Sequence, residues 1–334
     1  MRRLGFTILL LLLCCNFFQY RVNRRSEKET DFEGQSLNCA VALGKGLRSS
    51  LRFGLNYELL QEFGENHLCD VSIKAVHDSL SLCDSLLAGI YDIVVLKGDD
   101  TAAVAGVAKF PSPDGNYIWA TKSSKRGYRE LACRKWLCYA VYEDEDLKLM
   151  NKLFSEPYNP FKRAEAGIRS KYLSPYDALV KKYAKEIRWD WRMLTALIYA
   201  ESKFTINNVS PRGAVGLMQV MPREIYGTAE ELMDPETNIK AGTSHLATIQ
   251  EKFLTDPAFT PLEREKFALA CYNAGGGRIA ECRRIAADLG QDNTVWDQVV
   301  ETFEFNDNFK GGETTKYVEY VLSLYEAFCT VAQN

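Results

Sequence analysis

An α/β front lobe followed by an all-helical domain is the architecture this sequence predicts. Three observations carry it. Between residues 37 and 97, short β-rich runs alternate with stretches of helical spacing, the pattern of strand–helix–strand units. After residue 174 the apolar positions recur at helical intervals, with capping residues at segment starts. The chain has 334 residues, which suits two domains. Its 46% apolar and 25% charged content is that of an ordinary globular protein. A net charge of −3 argues against a nucleic-acid binder, which carries a basic excess.

At the N-terminus Arg2 and Arg3 precede an uncharged, largely apolar run over residues 5–18. A basic start and a short apolar core make a signal-peptide layout. The run falls short of the ~20 residues of a comfortable membrane span. It closes on Leu13-Cys14-Cys15 with no A-x-A-like cleavage site. A cysteine ending such a core resembles a bacterial lipoprotein signal, with the lipid on Cys15 or Cys14. An uncleaved anchor followed by Arg21, Arg24 and Arg25, or simple secretion, are the other layouts. All three export the body of the protein. Residues 1–20 are read as this segment and residues 21–36, polar and charged, as a tether.

An exported chain with ten cysteines invites disulfides. Cys271 and Cys282 are eleven residues apart; on one helix they would lie ~16 Å apart, beyond disulfide reach. No C-x-x-C pair occurs and the three histidines are scattered, so no zinc site is expected. Buried free thiols are the reading for most of the cysteines. No cofactor is implied.

The front lobe is placed at residues 37–155. Residues 38–43 form a short apolar run. Residues 55–63 are helical, with Leu55, Leu59, Leu60 and Phe63 on one side. Residues 70–75 alternate as a strand, residues 76–88 return to helix, and residues 90–96 form a buried strand by their β-branched content. This order implies a small parallel sheet. Further strands are expected at residues 117–120 and 137–142, then a helix at 144–154. Residues 156–173, with Pro157, Pro160, Lys162, Arg163, Arg169 and Lys171, read as a solvated linker.

The helical domain occupies residues 174–334. Ser174-Pro175 is expected to open its first helix, and Asp190 to cap a second that runs to about Glu201. Leu194, Leu197 and Ile198 suit a core. Trp189 and Trp191 read as core rather than as sugar platforms. Glu201 is a lone acid at a helix C-terminus, where the helix dipole disfavours a second negative charge. Burial adds to that effect, and both raise a carboxyl pKa toward the range a general acid needs. A loop with Ser210, Gly213 and Gly216 follows. These glycines, with Gly275, read as backbone geometry.

Four collinear motifs then carry a resemblance: Glu201-Ser202-x-Phe204 with Ser210 nine residues after the acid; Gly213-Ala214-Val215-Gly216-Leu217-Met218-Gln219-Val220-Met221-Pro222; Ala270-Cys271-Tyr272-Asn273-Ala274-Gly275; and Glu313-Thr314-x-x-Tyr317-Val318. Between the second and third, residues 234–242 (DPETNIKAG) match the start of a core helix. Residues 174–327 resemble the lysozyme-like domain of family 23 lytic transglycosylases. Upstream, YELLQEFGENH and DVSIKAVHDSLSLCDSLLAGIYDIVVLKGD resemble one lobe of a periplasmic solute-binding fold, with the second lobe missing. The segment WLCYAVYEDEDLKLMNKLFSE looks like the return to that lobe. The matching stretch lacks the arginine with which that family holds a ligand carboxylate, so a docking or positioning lobe is expected. The combination is similar to F-type membrane-bound lytic murein transglycosylases.

The resemblance implies cleavage of the MurNAc-β-1,4-GlcNAc bond of peptidoglycan with a 1,6-anhydro product, and Glu201 as the single acid and base. It implies Ser210 on the N-acetyl group or reacting sugar, and Gln219, Tyr272, Met218 and Asn273 along the cleft. Glu313 and Tyr317 would bind glycan or support the site, with a core role for Tyr317 equally open. The expected partners are glycan strands, and a membrane through the N-terminal segment, in the periplasm. A hydrolytic muramidase and a non-catalytic glycan-binding scaffold are the competing readings.

Overall fold

The computed structural model describes residues 32–44, 47–76, 81–112, 115–123, 127–140, 143–154, 158–306, 309 and 311–333. The signal or anchor segment, and the tether up to residue 31, lie outside the described residues. The described chain forms two compact units. One runs to Ala42 and resumes over Asn56–Asp144; the other comprises Leu43–Leu55 and the residues from Glu145 onward.

Five strands build the first unit: β1 (Ser36–Ala42), β2 (Asp70–Val76), β3 (Ile93–Lys97), β4 (Val107–Pro111) and β5 (Tyr117–Lys122). Their order in the sheet is β2-β1-β3-β5-β4. β1 pairs in parallel with β2 and β3, placing Cys39 opposite both Ile73 and Ile93. β5 runs antiparallel to β3 and β4, with Trp119 opposite Val95 and Phe110. The sheet is therefore mixed, where strand–helix alternation predicts a parallel one. The reason is the connection before β5: only five residues separate β4 from β5, too few for a crossover helix.

Alternation along the strands sends Ala40, Val94, Leu96, Ile118 and Ala120 to one face, against Leu82 and Leu86 of α2 (Leu82–Leu87). The other face meets α1 (Leu47–His67). There the Phe63 ring lies 5.9 Å from Trp119, whose indole N–H donates to Asn56 Oδ1 at 2.9 Å. With both faces covered, the strands read as near-continuous apolar runs. Of the strand expected over 137–142, the described residues 137–140 are instead helical. α3 (Tyr128–Lys135) continues into a π turn, Trp136–Ala140, and Trp136 packs edge-on to Phe63 at 5.7 Å.

The second unit holds α4 (Glu145–Phe154), α5 (Pro160–Glu165), α6 (Asp177–Glu186), α7 (Trp191–Ser202), α8 (Pro235–Phe253), α9 (Pro261–Ala274), α10 (Gly276–Asp288), α11 (Trp296–Glu301) and α12 (Gly312–Val331). Side-chain caps fix several starts: Asn159, Asp234 and Thr260 each accept from the third residue on, ahead of a proline in the first turn. α6 begins at Asp177, not at Pro175 as the Ser-Pro pair predicts. The buried Asp177 carboxylate accepts from Leu173 N, Ser174 N and Ser174 Oγ at 2.6–2.8 Å, which holds residues 173–176 in a turn.

Residues 158–173 are folded onto this unit and are no solvated linker. Tyr158 and Tyr172 are buried, the Arg163 guanidinium sits 3.9 Å above the Tyr158 ring, and Ser170 N donates to Val331 O. At the centre, α7 packs along α12, with Leu194, Leu197 and Ile198 buried on one and Val318, Val321 and Leu324 on the other. All eight described cysteines are free thiols.

Candidate active site

α7 is capped by Asp190, which accepts from Arg192 N at 2.9 Å and forks onto the Arg192 guanidinium. Its residues from Met193 to Tyr199 are buried, so its orientation is fixed by packing. The helix stops abruptly after Ser202. Lys203 and Phe204 both take left-handed conformations, at φ 51° and 63°. Non-glycine residues pay of order 1–3 kcal/mol each for such backbone. Burial of Phe204 against Tyr199 and Phe328, with ring centroids 5.3 and 6.4 Å away, offsets it. This double bend leaves Glu201 at the last turn of a rigid helix, where the loop turns away.

Glu201 is partly buried, and burial pushes its carboxyl pKa up; the hydrogen bond from Tyr317 pulls it back only in part. Tyr317 OH, on the first half of α12, donates to Glu201 Oε1 at 2.5 Å. Among the described residues this is the single hydrogen bond to that carboxyl, and no cation or second carboxylate perturbs it. Tyr272, on the last turn of α9, donates to Met218 O at 2.7 Å. Burial and the charge of Glu201 push both phenols well above their ordinary pKa, so they stay neutral donors.

The loop after α7 is pinned by one side chain. Asn238, fully buried in α8, accepts from Met218 N at 2.8 Å and donates to Val215 O and Leu232 O at 2.9 and 2.7 Å. Gly216 (φ 82°) lies against this carboxamide, where any Cβ would overlap it. Met218 is itself fully buried and packs against Gly242, so its carbonyl links Asn238 to Tyr272. Gln219 (φ 49°) donates from Nε2 to Gly216 O and Asn208 O. Ser210 Oγ accepts from Ala214 N at 2.9 Å and shapes the turn.

Of the residues singled out from the sequence, four are thus brought into one group: Glu201 and Tyr317 as one hydrogen-bonded pair and Tyr272 and Met218 as another, with the Glu201 charge acting on both phenols. Asn273 Oδ1 accepts from Thr314 Oγ1 at 2.9 Å, which ties α9 to α12 beside it. Ser210 and the exposed Glu313 make no hydrogen bond to that group. Sequence reasoning missed the keystone role of Asn238 and the pair Tyr226 OH···His245 Nδ1 at 3.2 Å, whose imidazole lies 5.5 Å from the Tyr272 ring. Asn238 had a local signal, since it stands four residues after the Asp234 cap. Tyr226 and His245 had none.

Residues 178–295 match the family described as transglycosylase SLT domain. Among curated proteins, the membrane-bound lytic murein transglycosylase F of Desulfosudis oleivorans is 33% identical over 170 residues, 46% of this chain and 36% of that protein. The protein of the same name from Marinobacter nauticus is 36% identical over 130 residues, 39% of this chain and 26% of that one. The chain thus spans about a third of the length of these relatives. Among solved structures, the 70 kDa soluble lytic transglycosylase of Escherichia coli is 25% identical, covering 60% of this chain and 30% of that one, with a TM-score of 0.37. The Slt lytic transglycosylase of Pseudomonas aeruginosa is 22% identical, covering 62% and 34%, also with a TM-score of 0.37. The SLT match spans α6 to α10, and so includes Glu201, the pinned loop and Tyr272. No described helix is long and apolar enough to cross a membrane.

Proposed function

We propose that this protein is a peptidoglycan lytic transglycosylase. It cleaves the MurNAc-β-1,4-GlcNAc bond and leaves a 1,6-anhydro-MurNAc end. The observation that carries the reading is the Glu201 carboxyl: raised by burial, held by one neutral donor, and with no second carboxylate acting on it among the described residues. Two-carboxylate glycosidases need a partner acid for a nucleophile or for a water. A single acid suffices when the substrate supplies its own groups.

In the proposed sequence Glu201 gives its proton to the glycosidic oxygen as the C1–O bond breaks. The 2-N-acetyl oxygen of the muramic residue stabilises the cationic centre at C1. The Glu201 carboxylate then takes the proton of the C6 hydroxyl as that oxygen bonds to C1, so no water enters the product and the acid is regenerated. Tyr317 holds Glu201 Oε1, leaving Oε2 to carry the proton. Ser210 contacts the N-acetyl group or the reacting sugar. Met218, Gln219, Tyr272, Asn273 and Glu313 line or support the glycan cleft, with Met218 acting through its backbone.

The first unit acts as a single lobe of a solute-binding-like fold, used for docking or positioning. Three parallel strands with helices on both faces support that reading. The N-terminal apolar run exports the protein to the periplasm and tethers it by a lipid or an anchor; the names of the relatives support a membrane location. Mass analysis of sacculi digested by the purified protein tests the reaction. Anhydro-muramic ends are expected. Reducing muramic ends alone would make it a hydrolytic muramidase, and intact sacculi a glycan-binding scaffold.

A further inference from the structure

A cavity of about 390 Å³ lies at the other end of the helix that delivers Glu201. That size is in the range of small-ligand pockets, ~300–1,000 Å³. Arg188 and Trp189, just ahead of the α7 cap, form one wall; Glu251 and Leu254 at the end of α8, and Arg264 and Glu265 near the start of α9, form the others. The first ten residues of α7, 191–200, separate it from Glu201 by ~15 Å of helix.

Its walls carry two guanidinium groups and two carboxylates, Arg188 and Glu251 exposed at its mouth and Arg264 and Glu265 half-buried, and none is paired among the described residues. No side-chain hydrogen bond or ion pair joins Arg188, Glu251, Arg264 or Glu265 to another described residue. Arg264 Nε is buried without an acceptor. A buried guanidinium N–H without a partner is costly, and native proteins keep few such groups. Burial and the neighbouring Asp190 carboxylate push Glu265 up to about 7, the behaviour of a carboxyl that lacks a cation. A simple anion would satisfy the arginines but face two carboxylates. A simple cation would meet the converse. Trp189 and Leu254 supply an apolar wall between the charged groups.

We propose that this cavity binds a small zwitterion, an amino acid or the end of a short peptide, with its carboxylate on Arg188 and Arg264 and its ammonium on Glu251 and Glu265. The site is distinct from the Glu201 cleft and stands whether or not the chain cleaves glycan. The test titrates the full chain with alanyl-alanine, its N-acetyl derivative and its C-terminal amide, by calorimetry and by the Trp189 indole N–H resonance. Saturable binding of the free dipeptide is expected, with each blocked form at least ~10-fold weaker. Arg264→Gln and Glu265→Gln should each weaken the free dipeptide by a similar factor while leaving glycan cleavage unchanged. The blocked ligands make the same distinction in the unaltered protein should a variant fold poorly. No saturable signal up to ~10 mM, or equal binding of free and blocked dipeptides, overturns the proposal.

Discussion

Replacing Asn238 by alanine should unfasten the loop that follows Glu201, and the structure sets the size of the effect. The carboxamide is fully buried and makes three hydrogen bonds, to Met218 N, Val215 O and Leu232 O. Their loss is not uniform. Val215 O keeps a bond from Val220 N at 3.0 Å, so its cost is small. Met218 N and Leu232 O lose the hydrogen bonds described for them, and each buried orphan costs about 1–3 kcal/mol. Adding the void left beside Gly216, the variant should lose about 3–5 kcal/mol. With a urea slope of ~2 kcal/mol/M, the transition of the second unit should move down by roughly 2 M. Tryptophan fluorescence reads it, since Trp189, Trp191 and Trp296 all report on that unit. Glycan cleavage should fall as well under folded conditions, because Met218 O no longer holds Tyr272 in place. A loss below about 1 kcal/mol with unchanged turnover would refute the keystone argument.

Three further outcomes follow from the same geometry. Tyr317→Phe removes the one hydrogen bond that lowers the Glu201 pKa, so the alkaline limb of the kcat/KM pH profile should shift upward, with kcat down roughly 10–100-fold; an unmoved limb counts against the assignment. Because the folded-state pKa of Glu201 lies above its unfolded value, the folded protein binds that proton more tightly and stability falls as pH rises through the raised pKa. Glu201→Gln should therefore raise Tm at pH 8 and leave it nearly unchanged at pH 4, and equal shifts at both would contradict the burial argument. Gly216→Ala combines positive-φ strain with overlap onto Asn238 and onto Leu232 O, 2.7 Å from the added Cβ, and should cost at least ~2 kcal/mol in urea unfolding.

The parts legible in the sequence were those with a local cause. The Asp190 cap, the helix ending near Glu201 and the positive-φ glycines 213, 216 and 275 each declare themselves within a few residues. The misread parts have non-local causes. Residues 136–140 (WLCYA) form an apolar run whose period cannot separate a buried strand from a helix, and only packing of Trp136 on Phe63 selects the helix. β4 was not read because its residues are half-buried at a sheet edge and lack a clean alternation. The pairing of β5 against β3 depends on chain direction, which side-chain pattern does not encode. At the site, Glu201 and Tyr317 are 116 positions apart, and their contact is set by α7 packing along α12. A motif can nominate both residues, but their 2.5 Å hydrogen bond exists only in the fold.

The most direct measurement compares the unaltered protein with Glu201→Gln on purified sacculi, with the products identified by mass. The unaltered protein should give 1,6-anhydro-muramic ends. The variant, whose side chain can still accept from Tyr317 and so keeps the fold, should lose at least ~100-fold in rate. Cleavage by the variant at an undiminished rate, or reducing muramic ends from the unaltered protein, would contradict the proposed reaction.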